Sequence, residues 1–373
     1  MRANVLFAVT RWLATIGFIV SVSRADDVME TVIEGSAVTL TAEFDPAVGP
    51  FYYQWSKDGV ILPDERGPTV RFAPVQISNA GSYIVYVSNA GGTANSAPAL
   101  LRVSALNPSR LSHFSLIAAG SPLIIGFALG GGNDAATPFL IRAAGPALEQ
   151  FGVETFMHDP KLQVFNTGAA IAENDNWLDS SNLTAARTKV AAFAFSTGSL
   201  DSALLLNVGP KSYTAQISES RGERSSALFE LFDLSSTATL ENPRLVNISA
   251  RVVIAPDDPP VISGFTIRGQ SALRILARAI GPTLASFGVS APLPDPTLTL
   301  YRGQTVIAAN DNWRDSGAIA VTNAARQAGA FELPLDSRDA ALVGLLAPGS
   351  YTLRVGATGN IGGETLIELY ELP

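Results

Sequence analysis

The sequence predicts an all-β protein that is built from several domains. Three observations favour this class. Gly and Pro together supply 55 of the 373 residues (32 + 23), only 16% of the residues are charged, and short apolar runs alternate with polar residues along most of the chain. Such a composition is typical of many short strands joined by tight turns. A chain of this length has room for two or three domains.

The residue counts also exclude several classes of function. The chain has no cysteine, so neither a disulfide nor a thiolate metal site can form. Its formal net charge is -8, and an acidic chain offers no electrostatic footprint for nucleic acid. We therefore expect no nucleic-acid partner.

The N-terminus has the layout of a secretory signal peptide. Arg2 and Arg11 precede an apolar run at 12–22, and Ser23 and Ala25 place small residues at the -3 and -1 positions. We expect residues 1–25 to be removed; an uncleaved membrane anchor is the alternative, although the apolar run is short for a span. The sequence predicts no further span after cleavage. We expect a protein that is secreted or held at the cell surface, with the periplasm as the alternative location.

Residues 26–105 form the first predicted domain. Trp55 lies in an alternating run, and the later segment NAGSYIVYV contains Tyr83. This arrangement resembles the I-set immunoglobulin domain, in which a core tryptophan accompanies a tyrosine that makes a corner hydrogen bond. Ala42 and Val85 stand where that family has two cysteines. The resemblance therefore implies a sandwich held by its apolar core, without a cross-link that contributes about 2–5 kcal/mol in small secreted domains.

The rest of the chain contains two copies of one unit, at 106–236 and 237–373. The clearest matches are RAAGPAL at 142–148 with RAIGPTL at 278–284, NDNWLDS at 174–180 with NDNWRDS at 310–316, and LFELF at 228–232 with LIELY at 366–370. Each copy has the length of a globular domain. Its alternating runs predict strands, and the short helices expected in the two copies lie at 146–151, 182–192, 282–287 and 320–328.

The second half of each copy is similar to the bacterial prepeptidase C-terminal domain. In the second copy an acidic turn at Asp311, a buried strand after Asp339, a Pro-Gly-Ser-Tyr turn at 348–351 and the closing strand carry this similarity. The first copy departs from it, because Gly209 precedes Pro210 there. The family implies an accessory or interaction role. The whole prediction is an immunoglobulin-like sandwich followed by two tandem β-sandwich or jelly-roll-like domains with short helices.

The repeated NDNWxDS segment is the candidate metal site. Calcium takes about six to eight oxygen ligands, which closely spaced carboxylates and amides can supply. The candidate ligands are Asp175, Asn176, Asp179 and Asp201 in the first copy and Asp311, Asn312, Asp315 and Asp339 in the second. The alternative is a structural turn, in which Asn and Asp bond to their own backbone and the tryptophan fills the core.

Two arginines recur inside apolar strands, Arg142 and Arg278. A buried guanidinium needs a partner, so we predict buried ion pairs with Asp159 and Asp295. A binding site for a ligand carboxylate is the alternative.

Other titratable residues give weaker indications. Glu230 and Glu368 recur between large apolar residues, and we predict that both face solvent. His113 and His158 have no counterparts in the second copy, so we expect neither to be catalytic.

These observations predict a protein without enzymatic activity that binds or spaces, through adhesion or spacer modules. Its partner would be an unidentified protein or glycan, and calcium is the only cofactor that the residues indicate. Two alternatives stay open. The first is a carbohydrate-binding accessory protein, in which Trp177, Trp313 or exposed tyrosines would stack on sugars. The second is a hydrolase of extracellular polysaccharide.

Overall fold

The computed structural model describes residues 3–7, 31–35, 37–42, 50–104, 108–131, 134–219, 224–235 and 242–372. The chain divides into two compact units, Met1–Leu106 and Asn107–Pro373. Most of the expected signal peptide lies outside the described residues, so its removal stays a prediction. In the part of the chain that the structure describes, no helix is both long and apolar enough to cross a membrane.

The first unit is a sandwich of two sheets. Its strands are β1 (Ala3–Phe7), β2 (Thr31–Ile33), β3 (Val38–Ala42), β4 (Tyr52–Lys57), β5 (Val60–Leu62), β6 (Thr69–Phe72), β7 (Gly81–Asn89), β8 (Gly92–Asn95) and β9 (Ala99–Ser104). One sheet has the order β1-β3-β6. The other has the order β2-β9-β7-β4-β5, with β8 paired to β7.

The core of the first unit confirms the immunoglobulin-like prediction. Trp55 is buried and its indole donates to the carbonyl of Gly67 at 2.9 Å. The hydroxyl of Tyr83 donates to the carbonyl of Asn79 at 2.7 Å, which is the expected corner bond. Ala42 and Val85 are both buried in the same core, as apolar residues at the cysteine positions should be.

The second unit contains both repeats and is also all-β. The first repeat supplies β10 (Arg110–Ala119), β11 (Leu123–Gly130), β12 (Thr137–Ala144), β13 (Lys161–Asn166), β14 (Ala169–Asn174), β15 (Ser202–Val208), β16 (Ser212–Ser218) and β17 (Ser226–Asp233). The second repeat supplies β18 (Arg244–Ile254), β19 (Val261–Arg268), β20 (Leu273–Ile280), β21 (Pro296–Arg302), β22 (Thr305–Asn310), β23 (Ala340–Leu346), β24 (Gly349–Ala357) and β25 (Gly363–Leu372).

Four of the helical segments correspond to the predicted ones. They are the 3-10 helices Pro146–Phe151 and Pro282–Phe287, with α1 (Ser181–Lys189) and α2 (Ala318–Ala328). A further 3-10 turn covers Trp313–Ser316. Proline at the first position of each of the two longer 3-10 helices has the fixed φ that a helix start needs. A glycine in the left-handed region ends each of them.

The strands of the two repeats are interlaced. Strand β10 pairs with β19 and β11 pairs with β18, so the first two strands of each repeat pair with the other repeat. The antiparallel ladder β14-β13-β16-β11-β18-β25-β20-β23 takes four strands from each repeat, and so does the ladder β22-β21-β24-β19-β10-β17-β12-β15. A single pairing of Leu111 with Leu245 joins the two ladders.

Interlacing makes the two repeats one compact unit with one main core. That core contains Phe114 and Phe127 from the first repeat together with Phe265 and Leu353 from the second. The sequence places separate domains at 106–236 and 237–373, whereas the structure joins strands across that boundary. Self-comparison finds the copies but cannot show which copy each edge strand pairs with.

Candidate functional site

The repeated asparagine that opens each NDNW segment ties two strands together. In the second repeat, Oδ1 of Asn310 accepts from the amide of Ala341 at 2.8 Å, and Nδ2 donates to the carbonyl of Asn312 at 2.7 Å. Asn174 makes the equivalent two bonds at 2.9 and 2.8 Å. The segment thus fastens β14 to β15 and β22 to β23 through one side chain in each repeat.

The buried aspartates of the predicted calcium set bind backbone amides. Oδ1 of Asp339 accepts from the amide of Gly281 at 2.7 Å and from that of Thr283 at 3.4 Å. Oδ1 of Asp201 accepts from the equivalent amides, Gly145 at 2.7 Å and Ala147 at 3.2 Å. Each carboxylate therefore caps the Gly-Pro turn that follows a central strand, because the amides at a helix start have no partner within the helix.

The other predicted calcium ligands lie on the surface or in turns. The exposed carboxylates are those of Asp175, Asp179, Asp311 and Asp315. Asn176 and Asn312 are half-buried, and Asn312 precedes the 3-10 turn at Trp313. Throughout the described ranges, no three acidic or histidine side chains form a group that could hold a metal ion. The geometry favours the structural-turn interpretation for this segment.

The recurring arginines are paired with the recurring glutamates, which corrects two predictions. Arg142 lies directly opposite Glu230 in the register of β12 and β17, and Arg278 lies opposite Glu368 in that of β20 and β25. Glu230 is 6% exposed and Glu368 is 5% exposed, so the prediction that both face solvent is wrong. The expected pairing of Arg278 with Asp295 is also wrong, since Asp295 instead accepts a hydrogen bond from Arg338.

The bond between Arg338 and Asp295 lies near the surface, where Nη1 of Arg338 donates to the carboxylate at 3.2 Å. The reason for the error is the sheet register. Residues directly opposite each other on neighbouring strands are within contact distance, whichever residues are near in sequence.

The two buried ion pairs differ in how completely they are bonded. In the second repeat, Arg278 donates to Glu368 through Nε at 2.7 Å and also through Nη2, and the hydroxyl of Tyr370 donates to the same carboxylate at 2.7 Å. In the first repeat, Nε of Arg142 lies 3.2 Å from Oε2 of Glu230. Its Nη2 is buried, with no hydrogen-bond partner among the described residues.

A cleft of about 320 Å³ opens beside the ion pair of Arg142 and Glu230. We call it the seam cleft because both repeats line it. Strand β10 supplies Ser112 and His113, β17 supplies Glu230, and β19 of the second repeat supplies Thr266 and Arg268. The remaining lining residues are Val190, Ala191, Ala192, Phe193 and Phe232. In the register, His113 lies between Thr266 on one side and Phe232 on the other, so interlacing itself creates this site.

Burial sets the protonation of the titratable groups in the seam cleft. His113 stacks on Phe232 with ring centroids 4.3 Å apart. Burial and then the charge of Arg142 lower the pKa of His113 to about 4, so its imidazole is neutral at neutral pH. Burial raises the pKa of Glu230, an effect that Arg142 opposes. Nε2 of His113 is buried and finds no hydrogen-bond acceptor or donor in the described part of the chain.

The first unit has a second candidate site on the exposed face of β4, β7 and β8. The register places Tyr52, Ser88 and Thr93 in one row across these strands, and Gln54, Tyr86 and Asn95 in the next row. We call these six residues the tyrosine face. Together with the backbone beneath them they line a groove of about 360 Å³. Tyr52 is 73% exposed, so its ring and hydroxyl are both accessible.

The tryptophans of the NDNW segments do not form a matching pair of sugar-stacking platforms. Trp313 is 2% exposed and its indole donates to the carbonyl of Pro334 at 3.2 Å. Trp177 is half-buried and packs edge-on against Phe195, with ring centroids 5.9 Å apart. His158 lies outside the seam cleft, with its ring against Phe156.

Sequence reasoning missed both clefts. The lack of a counterpart for His113 was a signal that the copies differ, but only the tertiary structure places it in one cleft with Arg268 of the other repeat. The alternation of Tyr52 with Gln54 and of Tyr86 with Ser88 could have indicated an exposed face. The pairing that aligns those rows was not predictable from alternation alone.

The comparisons with known proteins are local or weak. No protein-family model matches the chain. A decoration protein of Escherichia phage T5 is 39% identical over 59 residues, which are 16% of this chain and 36% of that protein, so the match spans about a third of that relative.

Similar solved structures include chains of immunoglobulin domains and a phage outer capsid protein. The N-terminal four immunoglobulin domains of Dscam1 are 26% identical over 21% of this chain and 19% of theirs, with a TM-score of 0.18. Titin domains Z1Z2 in complex with telethonin are 16% identical over 60% and 83%, with a TM-score of 0.21. Three domains of the outer capsid protein Hoc of bacteriophage RB49 are 11% identical over 90% and 93%, with a TM-score of 0.19.

Proposed function

We propose that this chain is a non-catalytic binding and spacer protein that acts at the outside of a cell or particle. The tyrosine face is the observation that carries this proposal. The interlaced repeats would form the rigid spacer, and the immunoglobulin-like unit would contact the partner. The expected signal peptide supports an external location, and an accessory role is what the resemblance to the prepeptidase C-terminal domain would imply.

The chemistry of the tyrosine face suits recognition of another molecule. Tyrosine gives a large, rigid contact area at a low cost in conformational entropy, and Ser, Thr, Gln and Asn supply adaptable hydrogen bonds. The six side chains of the face carry no charge. Such a face favours a partner that is itself uncharged where it makes contact, either a protein surface or a glycan.

The interlaced unit suits a spacer because its strands cannot separate repeat by repeat. Parting the repeats would break the β10–β19 and β11–β18 ladders along most of their length. Buried ion pairs and capped turns hold the neighbouring strand ends in both repeats. These features add resistance to deformation without providing a reacting group.

The phage relative supports a protein partner for this chain. Its printed name is decoration protein. By extension we propose that the immunoglobulin-like unit or the interlaced unit of this chain attaches to the surface of another protein.

The test is a binding assay with residues 26–373 immobilised. The cell-envelope fraction of the organism that encodes the chain and a glycan array would be applied to three versions: the unaltered chain, the double variant Tyr52→Ala with Tyr86→Ala, and the control Ile77→Ala. Ile77 is exposed on the same unit and does not line the groove. We expect the double variant to lose retained protein or glycan, and the control to keep it. Equal binding by all three versions would remove the tyrosine face from the proposal.

Calcium binding by the exposed acidic turns stays a separate proposal. Asp175, Asp179, Asp311 and Asp315 keep free access to solvent, although the buried aspartates of the set are bonded elsewhere. A ligand that binds only the folded state raises the midpoint of thermal unfolding. Melting with calcium and with chelator should differ by several degrees if calcium binds, and coincident curves would retire the proposal.

A further inference from the structure

We propose that the seam cleft binds one neutral sugar ring, held by Glu230, His113 and Arg268. This inference concerns the second unit and stands independently of the tyrosine face. The volume of the seam cleft, about 320 Å³, lies at the lower end of the range of about 300–1,000 Å³ that small-molecule pockets occupy. A single ring with its hydroxyls is an occupant of that order of size.

The polar groups of the cleft complement a pair of neighbouring hydroxyls. The carboxylate of Glu230 accepts hydrogen bonds, the guanidinium of Arg268 donates them, and a neutral imidazole can do either. A sugar hydroxyl both donates and accepts, so it can bridge a carboxylate and a guanidinium. Bonds in which one partner is charged are the stronger kind, which favours such contacts over neutral ones.

The hydroxyl groups of the cleft are already engaged by the protein. Ser112 donates to the carbonyl of Thr266 at 3.2 Å, and Thr266 is 3.1 Å from the hydroxyl of Ser350. Among the residues that line the cleft, Nε2 of His113 and Oε2 of Glu230 are buried atoms without a hydrogen-bond partner in the described ranges. These atoms are closed to solvent, so a ligand hydroxyl reaches one of them only after a small movement of the side chain; the gain would be the free energy that leaving a buried polar atom without a partner costs.

The charges of the cleft favour a neutral ligand. Arg142 lies 3.2 Å from Glu230 and compensates its charge, and His113 is neutral at neutral pH because its pKa is about 4. Arg268 is exposed at the rim, where water screens it. Neither an anion nor a cation therefore meets an uncompensated buried charge among the residues that line the cleft.

The other half of the unit, in which β18 pairs with β11, lacks these groups at the equivalent position. The register makes Asn247 the counterpart of His113 and Gly130 the counterpart of Arg268, since Asn247 pairs with Tyr370 and Gly130 with Arg244. A side chain at Gly130 would collide with Val246, whose Cγ1 lies 2.9 Å from the position that a Cβ would take.

The glutamate of that other half is also fully bonded within the protein. Tyr370 donates its hydroxyl to Glu368, whereas its counterpart Phe232 has no hydroxyl to offer Glu230. Glu368 therefore has its acceptors occupied, and Glu230 keeps acceptor capacity beside the cleft. The strand pairing is therefore the same in both halves of the unit. The groups proposed to bind the sugar occur only in the half where β10 pairs with β19.

The experiment is a titration of residues 26–373 with glucose, galactose, mannose and N-acetylglucosamine, followed by calorimetry and by amide NMR shifts. Oligosaccharides with the best of these sugars at one end form a second arm, which distinguishes a free ring from a glycan terminus. Glucuronate is the charged comparison. We expect saturable binding of at least one neutral sugar, and weaker or no binding of glucuronate.

The variants Arg268→Ala and His113→Asn should each weaken that binding at least tenfold. Arg354→Ala is the matched control, because Arg354 is exposed on the adjacent strand β24 and does not line the cleft. His113→Asn introduces the residue found in the other half, and circular dichroism verifies its fold.

Three results would overturn the inference. They are the absence of saturable binding for every neutral sugar, equal affinity in all variants, and tighter binding of glucuronate than of any neutral sugar. The double variant Tyr52→Ala with Tyr86→Ala should bind the sugar normally. Loss of sugar binding in the seam-cleft variants alone therefore tests this site, and failure here leaves the proposed function of the first unit unaffected.

Discussion

At the scale of single residues, several acidic side chains of the second unit that resemble site residues in the sequence are instead buried and bonded within the protein. Asp201 and Asp339 belong to conspicuous acidic clusters, yet their carboxylates cap turns. Glu230 and Glu368 look like surface residues, yet they neutralise buried arginines. A charged group removed from water must be paired and hydrogen-bonded, so its neighbours in space decide its role.

His113 predicts a dependence of stability on pH. Its pKa in the folded protein is about 4, below the ordinary value of 6.5, because burial and Arg142 disfavour the imidazolium ion. The unfolded chain therefore binds this proton more readily, and stability that is present above pH 6.5 is lost as the pH falls towards 4. Linkage gives a loss of about 3 kcal/mol at pH 4 from this residue.

The measurement is the free energy of unfolding in urea at several pH values, for the unaltered chain and for His113→Asn. The other titrating groups, including Glu230, are common to both proteins. The difference in stability between the two proteins should grow between pH 6.5 and pH 4 in favour of the variant. A constant difference would show that His113 is not buried in its neutral form.

At the scale of elements, the cross-strand ion pairs link β12 to β17 and β20 to β25. Glu368 accepts two hydrogen bonds from Arg278 and one from Tyr370. Glu230, in contrast, has one contact with Arg142, with Nε and Oε2 3.2 Å apart. Removing one partner of a buried pair leaves the other charge uncompensated, at a cost of about 3–5 kcal/mol. We expect Glu368→Gln to cost an amount in this range and Glu230→Gln to cost clearly less.

Urea unfolding of the two single variants gives the comparison directly, since the two positions are matched in sequence and register. The double variant Arg278→Met with Glu368→Leu should recover most of the lost stability, because well-packed apolar residues often replace a buried pair without loss. Equal costs at positions 230 and 368 would contradict the argument from bonding.

At the scale of the whole molecule, interlacing predicts that neither repeat is a stable monomer by itself. Each eight-stranded ladder takes four strands from each repeat, so an isolated repeat leaves the exposed edges of its first two strands without partners. Unpaired strand edges associate with other chains. We expect residues 237–373 alone to form a homodimer, in which a second copy supplies the missing strands.

Light scattering after size-exclusion chromatography measures this assembly state. Residues 107–236 and 237–373 mixed after separate purification should also form a one-to-one complex. Residues 107–373 provide the control and should remain monomeric. A folded monomer of 237–373, with β18 paired to its own β19, would show that the exchange is not required.

The sequence predicted the strands and helices of this protein well for a physical reason. Alternation of apolar and polar residues reports the period of a strand, and Pro and Gly mark the turns and helix ends locally. The same local logic found Trp55 and Tyr83, whose burial and corner bond the structure shows. Comparison of the chain with itself found the two repeats.

The sequence alone thus determined the all-β class, the immunoglobulin-like first unit and the existence of two copies. Only the tertiary structure decided that the copies exchange strands, that Arg142 and Arg278 pair with Glu230 and Glu368, and that His113 shares a cleft with Arg268. These features depend on which strands are neighbours and in what register. Pairing between distant segments is set by packing of the whole core, and alternation along one strand carries no record of it.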